Sequence, residues 1–238
     1  MAEEILITNN VVKRFGGLTA LRGVSISVKR KEILGIMGPN GSGKTTLINV
    51  ISGIYMPDSG KIVFEGVDIT YEPPHKRAKM GILRTFQIPR PFRRLSVIDN
   101  VVISLKNNPK GVSKNIYDAA KELLEFVGLD RYINLPVSHL NTFMLRKLDL
   151  ARALALSPKL LMIDEIVAGL VEAESLEISK IIEEINRLGV ALLLVEHTIP
   201  FLARVCKRII VLNEGKVIAE GSPEEVMSNP VVITSYIG

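Results

Sequence analysis

Residues 38–45 read Gly38-Pro39-Asn40-Gly41-Ser42-Gly43-Lys44-Thr45. They fit G-x-x-x-x-G-K-[ST]. An apolar run suited to a strand, residues 32–37, precedes them, and a helical pattern, residues 45–51, follows. That flanking order is what distinguishes a phosphate-binding loop from a glycine turn with an exposed lysine. Glycines let successive backbone N–H groups turn inward around phosphate oxygens. The helix N-terminus adds the positive end of its dipole. Lys44 is expected to reach the outer phosphates, and Thr45 to hold Mg²⁺ through its hydroxyl. Asn40, Gly41, Ser42, Gly43 and Thr46 complete the expected cradle.

Outward from the loop, short apolar runs alternate with longer helical patterns. This alternation predicts an α/β fold with a largely parallel sheet. Strands are expected at residues 4–11, 24–28, 32–37 and 61–64, with turn signals at Phe15-Gly16-Gly17 and Pro57-Asp58-Ser59-Gly60. Around residues 71–80 the composition becomes basic and Pro-bearing. Residues 96–105, 113–127 and 141–156 then read as helices with little strand between them, as an inserted helical subdomain would. Alternation resumes with a buried strand at 160–163, an amphipathic helix at 172–188 and another buried strand at 190–195. Strands at 205–212 and 216–219 follow, joined at Asn213-Glu214-Gly215. Ser222-Pro223-Glu224-Glu225 reads as a helix start with a capping box.

Residues 160–165, Leu160-Leu161-Met162-Ile163-Asp164-Glu165, are an apolar strand ending in two acids. A lone acid there is usually a cap or a solvated residue. In a parallel sheet carrying a phosphate loop, however, strand C-termini converge on the nucleotide. Asp164 then suits Mg²⁺, and Glu165 can polarise a water for attack on the γ-phosphate. Three further residues are weaker signals taken singly. His197 follows the strand at 190–195 and is a candidate γ-phosphate contact, or a packed or exposed histidine. Gln87 stands where the helical insertion begins and can bind Mg²⁺ or the attacking water, or be an ordinary loop amide. Phe15 can stack on adenine, or be a core aromatic.

Composition narrows the class. The chain has 238 residues, of which 47% are hydrophobic, enough for a buried core and against wholesale disorder. Its longest apolar runs hold six residues (190–195) and four (160–163), far short of the roughly 18 of a spanning helix. Residues 1–4 are acidic where a secretory leader would be basic. One cysteine, Cys206, fits a reducing compartment. A net charge of +5 allows acidic partners without demanding nucleic acid.

Taken in order, Phe15, the loop at 38–45, Gln87, Asp164 with Glu165, and His197 resemble the ATP-binding subunit of ABC transporters over nearly the whole chain. Arg84-Thr85-Phe86-Gln87, Phe92 with Leu95-Ser96-Val97, Ala168-Gly169-Leu170 and the ending Tyr236-Ile237-Gly238 resemble the branched-chain amino-acid importer branch. The resemblance implies a single ABC ATPase domain. Its P-loop core would have a mainly parallel sheet and an N-terminal antiparallel β-subdomain, over residues 1–87 and 158–238, with a helical subdomain at 88–157. It implies ATP and Mg²⁺ as cofactors, and catalytic roles for Glu165, His197 and Gln87. Thr45, Gln87 and Asp164 would hold the metal. It also implies a second ATPase subunit facing this one head to tail, two membrane-spanning permease subunits, an external solute-binding protein acting indirectly, and no nucleic acid. The place of work would be the cytoplasmic face of the membrane, peripherally. The segment with Arg90, Arg93 and Arg94 is where such subunits dock on the membrane partner; a solvated basic face is the alternative.

The chain departs from the family at its signature, Leu-Ser-Gly-Gly-Gln before a stretch like Leu150-Ala151-Arg152-Ala153-Leu154. Counting back places Leu140-Asn141-Thr142-Phe143-Met144 there, and only the leucine matches. Asn141 can cap the helix and donate through its amide. Thr142 and Phe143 put side chains where glycine allows close approach, and Met144 removes a polar group. Loss of one well-placed donor costs about 10²–10³ in rate, so a weak or dead half-site is expected. Ile166 stands where the family has proline, and Val171 where it has Asp or Asn. An intact cis half beside an altered trans half fits an asymmetric heterodimer, with a homodimer using an unusual signature as the alternative. A regulatory ATP-binding switch is the competing function. A soluble ABC protein of DNA repair or translation would carry two cassettes or a coiled-coil insertion. A P-loop kinase leaves the Gln87 and His197 spacing unexplained.

Overall fold

A computed structural model describes residues 3–85, 89–112 and 115–237. β1 (Glu4–Phe15) and β2 (Leu18–Lys29) form a long antiparallel hairpin. It closes at Gly16-Gly17, where Gly16 takes φ +57°. β3 (Ile33–Met37) leads through the glycine loop into α1 (Lys44–Ile51). β4 (Ser59–Phe64) and β5 (Val67–Asp68) complete a four-stranded antiparallel sheet in the order β2-β1-β4-β5. Both hairpin strands run well past the expected 4–11 and 24–28, because the two glycines turn the chain tightly enough for pairing to continue to Phe15↔Leu18.

The basic, Pro-bearing stretch contains α2 (Pro74–Met80), followed by β6 (Ile82–Arg84). α3 (Val97–Lys106), α4 (Ile116–Phe126) and α5 (Thr142–Leu154) pack on one another. Their starts are chemical: Ser96, Asn115 and Asn141 each accept backbone N–H groups through a side-chain oxygen. The remainder alternates as β7 (Leu160–Asp164), α6 (Glu172–Arg187), β8 (Ala191–Val195), α7 (Ile199–Val205), β9 (Arg208–Asn213) and β10 (Lys216–Gly221). α8 (Pro223–Ser228), with the Ser222–Glu225 capping box, and α9 (Pro230–Ile237) end the chain. One expectation fails here. Residue 205 ends a helix that Pro200 starts, and β9 begins only at Arg208.

The second sheet has the order β10-β9-β3-β8-β7-β6, parallel except for the β9–β10 hairpin. β3 lies between β9 and β8, so its neighbours come from late in the chain. The loop after β3 therefore opens at the same edge as the ends of β7 and β8, where ligands of open α/β sheets bind. Both faces of this sheet are covered, which is why its strands read as unbroken apolar runs. Alternate residues divide between two cores. Leu160, Met162, Leu193 and Val195 face α1 and the antiparallel sheet. Leu161, Ile163, Leu192 and Leu194 face the helices on the other side.

Two buried polar groups fix the frame. Arg77 of α2 is wholly inaccessible. Its guanidinium donates to the last carbonyls of α1, Val50 (2.7 Å) and Ile51 (2.8 Å), and to those of Thr70 (2.9 Å) and Glu72 (2.7 Å). Burial pulls its pKa down to about 10. Cys206 packs against Gly35 of β3, where a Cβ would stand 3.2 Å from its sulfur. Burial pushes its thiol far above the usual range.

Candidate nucleotide-binding site

The loop between β3 and α1 needs its glycines. Gly38 takes φ +151°, and a Cβ there would stand 2.0 Å from the Leu212 carbonyl oxygen. Gly43 takes φ +106°, and its Cβ would meet the Ala20 carbonyl at 2.7 Å. The loop is tied from outside as well: Gly215 N–H donates to the Ser42 carbonyl (2.9 Å), and Arg22 N–H to that of Gly215 (2.8 Å). Lys44 is buried, with Nζ donating to the carbonyls of Gly38 (2.8 Å) and Pro39 (2.9 Å) and to Ser42 Oγ (3.4 Å). Burial holds its pKa below the ordinary lysine value, with Glu165 and Asp164 opposing. Three acceptors thus hold the ammonium in place at the loop.

A cleft of about 540 Å³ opens over this loop. Phe15, Asn40, Gly41, Ser42, Gly43, Lys44, Thr45 and Thr46 all line it, and so do Glu165 and His197. Phe15 stands half-exposed at its edge. Tyr55 packs edge-on against that ring, centroids 5.1 Å apart at 74°, and Lys13 Nζ lies 5.5 Å from the ring centre. Tyr55 was not singled out from the sequence, and no local pattern marks it. Arg22 and Glu214 also reach the cleft, brought there by the two hairpins.

The two acids at the end of β7 have different surroundings. Asp164 is buried and its pKa is raised by desolvation, against the pull of Arg84, whose Nη2 is 3.8 Å away. Arg84 also bonds Asn49 of α1. Glu165 is half-buried and bends out of the strand at φ +51°. Its N–H continues the ladder to the Val195 carbonyl (2.9 Å). Its Oε1 lies 3.1 Å from His197 Nε2.

Gln87 lies outside the described residues. Asn141 to Met144 form the start of α5 and do not join the cleft. Asn141 Oδ1 accepts the Met144 N–H (2.9 Å), the expected cap. Asn141 and Thr142 are exposed, whereas Phe143 and Met144 pack partly into the core. The Phe143 ring lies 5.0 Å below Lys147 Nζ, which Glu177 (2.6 Å) and the Gly128 carbonyl (3.1 Å) also hold. Among the described residues no group of three or more His, Cys, Asp or Glu is placed to hold a metal ion.

A cradle of backbone donors that begins at an aromatic ring and ends at a carboxylate suits a ligand with a base at one end and several phosphates at the other. Fold and site together define a P-loop nucleoside triphosphatase. Residues 21–168 match the ABC transporter family model, and residues 216–238 match that of the branched-chain amino acid ATP-binding cassette transporters. The chain is 38% identical over 250 residues to a probable branched-chain amino acid transport ATP-binding protein, LivG, of Archaeoglobus fulgidus, covering 99% of this chain and 96% of the relative. It is 35% identical over 253 residues to the high-affinity LivG protein of Escherichia coli K12, covering 100% and 99%. The ADP conformation of an ATP-binding cassette of an ABC transporter superposes with TM-score 0.91 at 34% identity, over 99% of both chains. A dimeric cassette in a post-hydrolysis state with ADP and Pi superposes with TM-score 0.82 at 26% identity, over 92% and 98%. The chain belongs to the ABC transporter family, as an ATP-binding and ATP-hydrolysing cassette.

Proposed function

We propose that this cassette drives an importer of branched-chain or related amino acids, working as one of two different ATPase subunits against a pair of membrane-spanning permeases. The solute class is supported by the printed functions of the relatives and by the family match at the C-terminus. These also favour transport over a regulatory switch. An external solute-binding protein would act indirectly. No helix among the described residues is long and apolar enough to cross a membrane, so the cassette would sit peripherally on the cytoplasmic face. Phe92 and Leu95 are exposed beside Arg90, Arg93 and Arg94, which supports docking there. Residues 88–157 serve as the helical subdomain in this reading, and residues 1–87 with 158–238 as the core.

The chemistry is ATP + H₂O → ADP + phosphate. Phe15 stacks the base, and the amides from Gly41 to Thr46 take the phosphates. Lys44 exchanges its loop carbonyls for phosphate oxygens. Thr45 and Asp164, with Gln87, would hold Mg²⁺, which would supply positive charge against the phosphates. Hydroxyl, carboxylate and amide oxygens are the hard donors that this ion takes. Glu165 orients the attacking water, and His197 holds Glu165 and faces the γ-phosphate. The Glu165–His197 contact at the cleft carries this reading.

The start of α5 supports a weak trans half. Asn141 uses its side-chain oxygen on Met144 N–H, and Phe143 folds back onto Lys147. The deciding measurement is the solution mass of Glu165→Gln with Mg²⁺ and ATP. A monomer that binds ATP is expected and points to a partner with an intact signature. A dimer of this chain alone overturns the heterodimer. A chain that binds no ATP overturns the nucleotide roles.

A further inference from the structure

Glu196 does not line the cleft; it is only 2% exposed and directly precedes His197. Its Oε1 accepts the N–H of Val167 at 3.0 Å. Backbone amides of Ile166 and His197 also favour its charged form, against the burial that raises its pKa. Ile166 and Val167 directly follow Glu165, and Glu196 directly precedes His197. The side chain next to His197 is thus bonded to the segment that follows Glu165.

Arg146 of α5 is likewise buried, 7% exposed. Burial lowers its pKa, and the negative charge of Glu196, Asp149, Glu165 and Asp164 opposes that shift. Thr85 and Ile166 close around Arg146 and Asp149. Hydrogen bonds from amides to a buried carboxylate are strong, and a network of this kind holds its members rigidly. The need for such a hold is local: Glu165 keeps a positive φ that a side chain adopts only at a cost, so neighbouring contacts must impose it.

We propose that Glu196 is a positioning residue that fastens the loop after Glu165 and the loop bearing His197 into one unit, and that Arg146 ties this unit to α5. The helix whose start carries Asn141 is thereby joined to the hydrolytic pair of the same chain. Its consequence for turnover rests on the hydrolytic reading above; its structural content does not.

The test is amide hydrogen exchange of the full-length chain at one fixed pH, read on peptides spanning 165–168, 196–198 and 38–46. Glu196→Gln keeps the size but replaces an acceptor oxygen with an NH₂ group facing N–H donors. Exchange should rise at least about tenfold in 165–168 and 196–198 together, with 38–46 unchanged. Arg146→Met should loosen the same two segments, and the double variant no more than Glu196→Gln alone. In the assembled transporter, Glu196→Gln should lower kcat about tenfold at unchanged KM. Acceleration in one segment only, or in neither, overturns the proposal. If Glu196→Gln loosens the whole chain, Arg146→Lys decides. It keeps the cation and loses the planar fork, and the proposal fails unless its effect is confined to the two segments. ATP binding by the wild type is measured alongside. Its absence would sink the hydrolytic reading while the exchange data still judge Glu196.

Discussion

Glu165 and His197 are 32 positions apart in the chain, and their side chains meet at 3.1 Å. The register makes the meeting. Asp164 pairs with Val195 at the ends of β7 and β8, so the residues just beyond emerge side by side at the mouth of the cleft. His197→Ala leaves both strands intact and removes only the imidazole. We expect kcat for phosphate release to fall about 10²–10³-fold in the assembled transporter, with KM changed little. An unchanged kcat would leave His197 without a catalytic role.

Gly38→Ala should abolish ATP binding and lower the melting temperature. The added methyl would stand 2.0 Å from the Leu212 carbonyl, which β9 holds in the sheet and which cannot yield. Calorimetric titration with ATP and a thermal melt check both effects.

Arg77→Met should destabilise the fold by about 3 kcal/mol or more, measured by urea unfolding. The substitution strips donors from four carbonyls in a place where water does not reach. Since Arg77 lies at the far end of α1 from the loop, ATP affinity of the folded fraction should stay within about threefold of wild type, a change under 1 kcal/mol.

The Glu196 carboxyl is pushed up to about 7 by burial, against the amides that point at it. Between an unfolded value near 4.5 and this folded value, the native chain keeps a proton that the unfolded chain has released. The resulting stabilisation is complete below about pH 4.5, fades as pH rises through about 7, and is absent above. Compared with Glu196→Gln, the wild type should lose on the order of 3 kcal/mol between those limits. Urea titrations at pH 5, 6, 7 and 8 read the slope directly. Parallel curves for the two proteins would contradict it.

Rebuilding the start of α5 with Asn141→Ser, Thr142→Gly, Phe143→Gly and Met144→Gln, in the Glu165→Gln background, should convert an ATP-bound monomer into an ATP-bound dimer. Light scattering reports the change. The rebuilt chain should also melt lower, because Phe143 gives up its contacts with Lys147 and the core.

Local chemistry made much of this legible in advance. The loop at 38–45, the Asn141 cap and the Ser222–Glu225 box each depend on residues a few positions apart, and each stands where the spacing puts it. α7 was missed because Val205 and Cys206 read as the start of a strand, although Pro200 marked a helix start. Arg77 in a basic run and Glu196 beside a histidine carry no local signature. Their roles come from carbonyls and amides that only the folded chain assembles. Tyr55 reaches Phe15 in the same way, across 40 residues of sequence.

The covered thiol of Cys206 gives the cassette a chemical silence. Alkylating reagents and disulfides react with thiolates, and Cys206 is buried and held protonated against the backbone of β3. Disulfide exchange and alkylation therefore find no accessible thiol on the folded chain. Whatever label it does acquire counts the openings of the sheet that carries the phosphate loop.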